Sequence, residues 1–455
     1  MATMESLHEL IEGEAIEFVD LRVVDLTGRW RHVTVPAERF DTSLVGEGVA
    51  FDASNLGYAS VEGSDMILRP DLGTAAVVAY NGEQILTLIC DIHLPETGER
   101  FAGDPRAVAS KAEAYLEAEE VAESILMSPE FEFYVFREAV FSSSPCEPGF
   151  ALEPLNDNAE RSFYHACPPE DGLFELRNEI CRQLQGRGIE VKYHHHEVGA
   201  YGQVEIELGF LGLRSAADAT MILKNLTRSI AAEFGLTATF LPKPIHGENG
   251  SGLHVHQFLA AAGASLFEDE GELSDLALCY IGGILTHGRS LCALTNPSTN
   301  SYRRLVPGYE APVWFAFGEG NRSAAIRIPR YASPRERRIE LRTGDATCNP
   351  YLAYAAMLMA GIDGIRRGLN AVDLGFGPFG DNLYETSDAS RGPLEAAPVN
   401  VEDALASLEA DHDFLLAGDV FSTGQISNWI RTKRQEARSV RDRPHPYEFP
   451  LYFDL

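Results

Sequence analysis

Two hydrophobic periods divide the chain. Up to about Asp104, apolar residues come in short runs broken by turns, which predicts β segments at residues 17–24, 32–35, 75–78 and 84–90. Asp104-Pro105 then has the form of a helix N-cap followed by proline at the first helical position. Val108, Ala112, Tyr115 and Leu116 continue at helical spacing, so a helix opens the second part. Beyond it, strand-like and helix-like runs alternate. Ile222, Leu223, Leu226, Ile230 and Phe234 form a helical stripe that stops at Gly235. A second capped helix is expected from Asn349-Pro350, and a third over about residues 426–440. Residues 375–400, rich in Gly, Pro, Ser and Asp, read as a long loop. One seam is visible, giving a small domain 1–104 and a large domain 105–455. There are no internal repeats.

The strand-like runs of the second part carry charge at alternate positions. In Pro129-Glu130-Phe131-Glu132-Phe133, Glu130 and Glu132 point to one face and the phenylalanines to the other. Glu205 and Glu207 share a face of their strand, His254 and His256 of theirs, and Arg338, Glu340 and Arg342 of a fourth. A half-buried antiparallel strand has a polar solvent face, so any one of these is ordinary. Four together are not, because they carry Glu, His and Arg with almost no Lys. The run His194-His195-His196-Glu197 adds a carboxylate just before Glu205. Glutamates with one or two histidines suit hard divalent cations such as Mg²⁺ or Mn²⁺. Arginines cannot ligate metal, but their planar forks fit phosphate and carboxylate groups. The combination describes a metal-nucleotide site for phosphoryl transfer.

Composition narrows the partners. The 455 residues are 45% hydrophobic and 23% charged, which excludes disordered, collagenous and disulfide-framework classes. A net charge of −31 argues against nucleic acid and anionic membrane as partners, and most of that excess reads as generic surface acidity. The N-terminal segment lacks a basic and an apolar region, and the longest apolar stretch, near residues 351–362, is too short to span a bilayer. Seven cysteines without a CxxC suggest a reducing compartment, so a cytoplasmic protein is expected.

One tempting motif fails. Gly375-Phe376-Gly377-Pro378-Phe379-Gly380 fits the dinucleotide GxGxxG expression, but it contains proline and opens no helix. No GxxxxGK[ST] is present, so a P-loop does not hold any nucleotide. Gly247-Glu248-Asn249-Gly250-Ser251-Gly252 is a turn leading straight into the His254/His256 strand, where the backbone can approach a substrate closely.

The segment from Lys243 to His256, KPIHGENGSGLHVH, closely resembles the ATP-binding signature of bacterial type I glutamine synthetases. The blocks NSYRRLVPGYEAP, from Asn300 to Pro312, and NRSAAIRIP, from Asn321 to Pro329, resemble further blocks of that family. The resemblance runs over nearly the whole chain. It implies an α+β fold, with a small N-terminal β-grasp domain and a large catalytic domain whose curved antiparallel sheet is flanked by helices. It also implies a homododecamer of two hexameric rings, with the N-terminal domain of one subunit completing the site of the next. By motif, Glu132, Glu197 and Glu205 resemble ligands of a first metal, and Glu130, His254 and Glu340 those of a second, Mg²⁺ or Mn²⁺. Asn249, Gly250, Arg304 and Arg342 would bind glutamate. Arg322 and Arg327 would face the phosphates of ATP, with His256 and Arg335 on the nucleotide side. Glu310 would sit on a flap that excludes water, and Asp52 resembles the aspartate that takes a proton from ammonium.

Departures from the family pattern concentrate on the acceptor. The loop Asp52-Ala53-Ser54-Asn55 has asparagine where a serine is usual, whereas Tyr164 and Glu197, also expected near ammonium, are kept. Phe258 stands where many members have a serine near the nucleotide. Tyr384 lies near the regulatory tyrosine of some members without its flanking sequence. The leading expectation is therefore an ATP-dependent glutamate–ammonia ligase. The alternative is a γ-glutamylamine synthetase, since relatives of this fold join glutamate to ethanolamine, polyamines or alkylamines. A catalytically silent assembly protein would be marked by a lost metal ligand, and none is lost.

Overall fold

In the computed structural model, which describes residues 2–58, 63–80, 82–155, 163–386 and 394–453, the chain forms two compact units, Met1–Lys111 and Ala112–Leu455. The first is built on a six-stranded sheet: β1 (Phe18–Val24), β2 (Trp30–Pro36), β3 (Val49–Asp52), β4 (Asp65–Pro70), β5 (Ala76–Tyr80) and β6 (Glu83–His93). The order is β2-β1-β6-β4-β3, with β5 also on β6, and the central β1–β6 pair is parallel. Val19, Leu21, Leu68, Leu86 and Leu88 bury together, and Leu7 of the helix Met4–Gly13 joins them.

Four of these strands stand where the hydrophobic pattern placed them. β3 and β4 and the first helix were not anticipated. β3 is only four residues long, too short for a period to register. The helix did carry a signal, since Leu7, Leu10 and Ile11 have helical spacing behind a Thr3 capping box.

Asp104 caps the helix Pro105–Ala118 as its sequence suggests: its carboxylate accepts from the Arg106 amide at 3.0 Å. The first unit reaches Lys111 because Arg106, in that helix's first turn, pairs with Asp71 at 2.8 Å and Asp91 at 2.7 Å.

The second unit holds an eleven-stranded sheet. Its strands are β7 (Ser124–Ser143), β8 (Pro148–Pro154), β9 (Val191–His196), β10 (Gln203–Leu208), β11 (Leu211–Gly212), β12 (Thr237–Thr239), β13 (Leu253–Ala261) and β14 (Ala264–Ser265). A separate pair, β15 (Glu268–Asp269) and β16 (Glu272–Leu273), precedes β17 (Trp314–Glu319), β18 (Ala324–Ile328) and β19 (Ile339–Leu341). The main path is β17-β18-β19-β13-β7-β10-β9. It is antiparallel except for β17–β18, the one parallel pair along it.

Helices Leu213–Glu233, Asp275–Thr286 and Pro350–Arg367 pack together beside it. The latter two touch through glycines: a Cβ on Gly283 would lie 2.1 Å from the Ala360 carbonyl oxygen. The predicted stop at Gly235 holds, the residue lying at φ 70° just past the helix end. Pro350 does begin its helix, but the Asn349 side chain makes no capping hydrogen bond there. The third helix spans Thr423–Arg441 behind a Ser422–Gln425 capping box.

Of the predicted loop 375–400, residues 387–393 lie outside the described residues. The rejected GxGxxG stretch backs β17, with the Phe317 amide donating to the Phe376 carbonyl and the Phe379 amide to the Phe317 carbonyl, both at 2.9 Å. Among the described residues no helix is long and apolar enough to cross a membrane.

Candidate active site

Strand register gathers the charged positions onto one face of the large sheet. Glu205 and Glu207 of β10 stand opposite Glu132 and Glu130 of β7. On the other side of β7, His254 of β13 faces Glu130, and His256 faces Ser128. Glu340 of β19 stands opposite His256, and Arg327 of β18 opposite Glu340. Opposed residues in a ladder share a face, and like charges directly opposite repel. Without an external cation the arrangement is therefore costly.

A cavity of about 680 Å³ opens over this face, lined by Glu130, Glu132, Glu197, Glu205, His254 and Glu340 among others. His254 Nδ1 lies 2.6 Å from Glu130 Oε1, and its Nε2 is 4.0 Å from Glu132 Oε1. His195 Nε2 lies 3.1 Å from Glu205 Oε1, and its Nδ1 is 3.9 Å from Glu197 Oε1. Donor atoms of Glu130, Glu132 and His254 fall within 4.8 Å of one another, as do those of His195, Glu197 and Glu205. Carboxylate oxygens with an imidazole nitrogen are a donor set that fits Mg²⁺ or Mn²⁺.

The electrostatics record the repulsion. Burial, with Glu132 nearby, pushes the Glu197 carboxyl up to about 8. Burial and the charges of Glu130 and Glu132 hold Glu205 well above the carboxylate range. Glu130 goes the other way: burial alone would raise it, but the imidazoles of His254 and His256 outweigh that and hold it well below. Glu340, fully buried, falls to about 2 because the Arg342 guanidinium outweighs its desolvation. It pairs with both Arg327 and Arg342. One end of the face is thus neutralised and the other is short of positive charge.

Other sequence-nominated residues distribute as follows. Arg322, Arg327, Arg342, Glu310 and Tyr164 line the same cavity. Glu310 sits at φ 57°, a left-handed conformation unusual for a glutamate. Arg304 is buried beneath, donating to the carbonyls of Thr343 at 2.9 Å and Gly344 at 3.0 Å. Gly250 is needed beside it, because a Cβ there would meet Arg304 Cγ at 2.6 Å. The Asn249 carbonyl accepts from the Tyr134 hydroxyl at 2.7 Å. Arg335 is exposed and lies off the cavity. Asp52 and Asn55 belong to the first unit and are exposed. There Asp52 accepts from the Ser54 amide at 2.8 Å, which lowers its pKa. Phe258 is buried, with its ring edge-on to Phe210 at 5.0 Å.

Two residues carry no role from sequence yet lie in the cluster. His195 was visible in the histidine run. Glu207 shared a strand face with Glu205 but matched no motif. Position alone could have nominated both.

A larger cavity of about 770 Å³ lies elsewhere in the second unit, lined by Phe136, Phe141, Phe150 and Leu152 among others. It holds no carboxylate cluster, so volume does not mark the chemistry here.

Carboxylates and imidazoles that could hold divalent cations, beside guanidiniums on one open sheet, are the donor set of a metal-dependent enzyme acting on anionic substrates. The sequence model of the glutamine synthetase catalytic domain matches residues 102–452, and that of the glutamine synthetase beta-grasp domain matches residues 15–95. The chain is 43% identical to a glutamine synthetase of Streptomyces coelicolor, over 99% of each. Among solved structures, it superposes on a Plasmodium falciparum glutamine synthetase with a TM-score of 0.88 and 25% identity over 99% of each chain. An apo structure of GmaS matches with a TM-score of 0.83 and 27% identity over 100% of both. The chain belongs to the glutamine synthetase family, with the β-grasp and catalytic domains of that family, and is an ATP-dependent ligase.

Proposed function

We propose that the enzyme activates the γ-carboxylate of glutamate with ATP and amidates it with ammonia, its domains dividing at Asp104. The observation that carries this reading is the carboxylate cluster left short of positive charge, with Arg322, Arg327 and Arg342 on the walls of the same cavity.

Glu132, Glu197 and Glu205 would hold one Mg²⁺ or Mn²⁺, and Glu130, His254 and Glu340 a second. Such ions supply positive charge for phosphate oxygens. A carboxylate is a poor acyl donor because its leaving group would be oxide. A γ-carboxylate oxygen therefore attacks the terminal phosphorus of ATP and ADP departs. Arg322 and Arg327 face the charge developing on the transferred group, with His256 and Arg335 toward the nucleotide. Asn249, Gly250, Arg304 and Arg342 orient glutamate. Ammonia then attacks the acyl carbon and phosphate leaves. Ammonium must first lose a proton, and Asp52 of a neighbouring copy takes it, in a pocket completed by Asn55, Tyr164 and Glu197. Glu310 closes over the acyl phosphate so that water does not intercept it.

The same reading makes the enzyme a cytoplasmic homo-oligomer, two stacked hexameric rings, without nucleic-acid or membrane partners. Free thiols at all seven cysteines support the compartment. Exposed Phe141 and Phe150 on the β7–β8 hairpin, with Phe449 and Phe453 near the C-terminus, support subunit association. Tyr384 is not a modification site in this reading, since its flanking sequence is not that of the regulatory tyrosine.

A second reading, an alkylamine acceptor, is favoured by four rings on the cavity wall. Tyr164, His165, Tyr193 and His195 line the same cavity as Glu197, with Tyr193 and His195 stacked at 6.0 Å. Ring faces and a carboxylate together suit an organic ammonium. ADP release driven by ammonia, methylamine, ethanolamine and putrescine, compared as kcat/KM, decides between them. Preference for ammonia is expected. Turnover with an alkylamine and none with ammonia overturns the first reading.

A further inference from the structure

Glu310 lines the carboxylate cavity, whereas its neighbour Tyr309 lines the larger, apolar one. The loop that carries them has little of its own to hold this arrangement. Among the described residues, none of 307–311 makes a hydrogen bond to other backbone. Gly308 lies at φ 95° and Glu310 at φ 57°, so two left-handed residues bracket Tyr309. A glutamate keeps such a conformation only where its surroundings impose it.

Two side chains supply that constraint. On one side the Tyr384 hydroxyl donates to the Ala311 carbonyl at 2.8 Å. On the other the Lys243 ammonium stands 3.6 Å from the Tyr309 ring centroid, well inside cation–π range. The same ammonium donates to the carbonyl of Glu248, next to Asn249 and Gly250.

Lys243 is itself held in place. Its amide donates to Asn300 Oδ1 at 2.6 Å, and its carbonyl accepts from Asn300 Nδ2 at 3.2 Å. Asn300 precedes the short helix Ser301–Arg304, which carries Arg304. One lysine thus ties the loop of Glu310 to the turn and the helix that carry the glutamate contacts. It lies outside the carboxylate cavity, so any effect on the chemistry passes through Tyr309.

We propose that Lys243 is a positioning residue for the flap: its ammonium, anchored on the Glu248 carbonyl, holds the Tyr309 ring and so keeps Glu310 over the acyl phosphate. Lys243 has this role on the reading of Glu310 as the residue that excludes water. With the flap loose, water adds to the acyl carbon and the bond from that carbon to the phosphate oxygen breaks. Glutamate, phosphate and one proton are released, so ADP is formed without amide.

ADP release without an amine, divided by amide formation with ammonia or methylamine, measures that leak. The quotient is read on active molecules alone, so partial unfolding of a variant does not move it. Lys243→Met should raise it by roughly two- to fivefold, the worth of one cation–π contact at a partly exposed site. An unchanged quotient overturns the proposal. Lys243→Arg keeps a cation over the ring and should bring the quotient back to that of wild type. Tyr309→Phe should leave it unchanged and Tyr309→Leu should raise it, with no further rise in the Lys243→Met/Tyr309→Leu pair. Additive effects in the pair would mean that the two side chains act apart, which also overturns the proposal. Glu310→Ala separates the flap from its support. An unchanged quotient there overturns the flap itself, whereas a leak raised by Glu310→Ala and not by Lys243→Met overturns the part of Lys243 alone.

Discussion

Two charge clusters in the second unit, each built around a buried histidine or carboxylate, answer the same problem in opposite ways. His287, between helix Asp275–Thr286 and helix Gly288–Thr295, is 3% exposed and bonded through both ring nitrogens. Nδ1 meets Asp411 and Nε2 meets Asp363, each at 2.8 Å. Arg367 donates to Asp363 at 2.8 Å, Ser290 to Asp411 at 3.2 Å, and the Phe414 ring stacks at 4.0 Å. Two cations face two anions, and Oδ2 of each aspartate accepts from two donors. On the sheet, Glu130, Glu132, Glu197 and Glu205 crowd together while the guanidiniums of Arg327 and Arg342 are spent on Glu340. Glu197 and Glu205 consequently cling to protons. A buried cluster that balances itself is architecture, whereas one that waits for an outside charge is a site.

The sharpest way to break this distinction is to remove one charge from each cluster and read activity and stability separately. Glu205→Gln takes away a proposed metal ligand, and ADP release should fall by roughly 10²–10³-fold. Stability of the metal-free protein should not fall with it. A carboxyl whose folded pKa is raised opposes folding wherever it is ionised, so its neutral isostere relieves repulsion and Tm should rise. Lost activity with a lower Tm, in the absence of metal, would place Glu205 among the structural charges instead. Glu340→Gln is the less clean probe, because it leaves the buried Arg327 and Arg342 without an anion.

His287→Gln should do the reverse. Breaking the triad leaves Asp363 to Arg367 and Asp411 to Ser290 and costs about 1–3 kcal/mol, moderated by solvent because the Asp411 side chain is 45% exposed. Denaturant unfolding measures that loss. kcat/KM at saturating metal should stay within about twofold, because His287 does not line the carboxylate cavity. A large drop in turnover with intact stability would mean that the two clusters are not separable by function.

The two clusters also differ in how far the sequence disclosed them. The sheet face was legible because strand parity is a local property: Glu130 with Glu132, or His254 with His256, declare a common face from alternate positions. The long GENGSG turn and the arginine blocks then tied that face to a family. His287, Asp363 and Asp411 carry no such periodicity, since they meet across 124 residues only through helix packing. Want of a local period likewise hid β3, only four residues long, and Asp52 at its end belongs to a different unit from the cavity. Glu207 shows the complementary failure. Parity placed it on the face, but no motif claimed it, and only the register opposite Glu130 reveals its neighbours.

The smallest expected effect is also the most specific to the balanced cluster. Burial lowers the His287 pKa, but its bonds to Asp411 and Asp363 prevail and raise it above 6.5. A raised histidine contributes stability that is fully present below the unfolded pKa and is lost as pH climbs through the folded one. Asp411 shifts the opposite way, below 3.8, because its hydrogen bond to His287 outweighs desolvation; its contribution is present above that value and disappears as pH falls through the folded pKa. The triad is therefore intact only between those limits. The Tm gap between wild type and His287→Gln should be widest between the ordinary values of about 3.8 and 6.5 and should narrow as pH rises through the elevated pKa of His287. A gap that stays constant across that range would mean that His287 is held neutral, as one more packed ring against Phe414, and the contrast with the sheet cluster would then be one of packing rather than of charge.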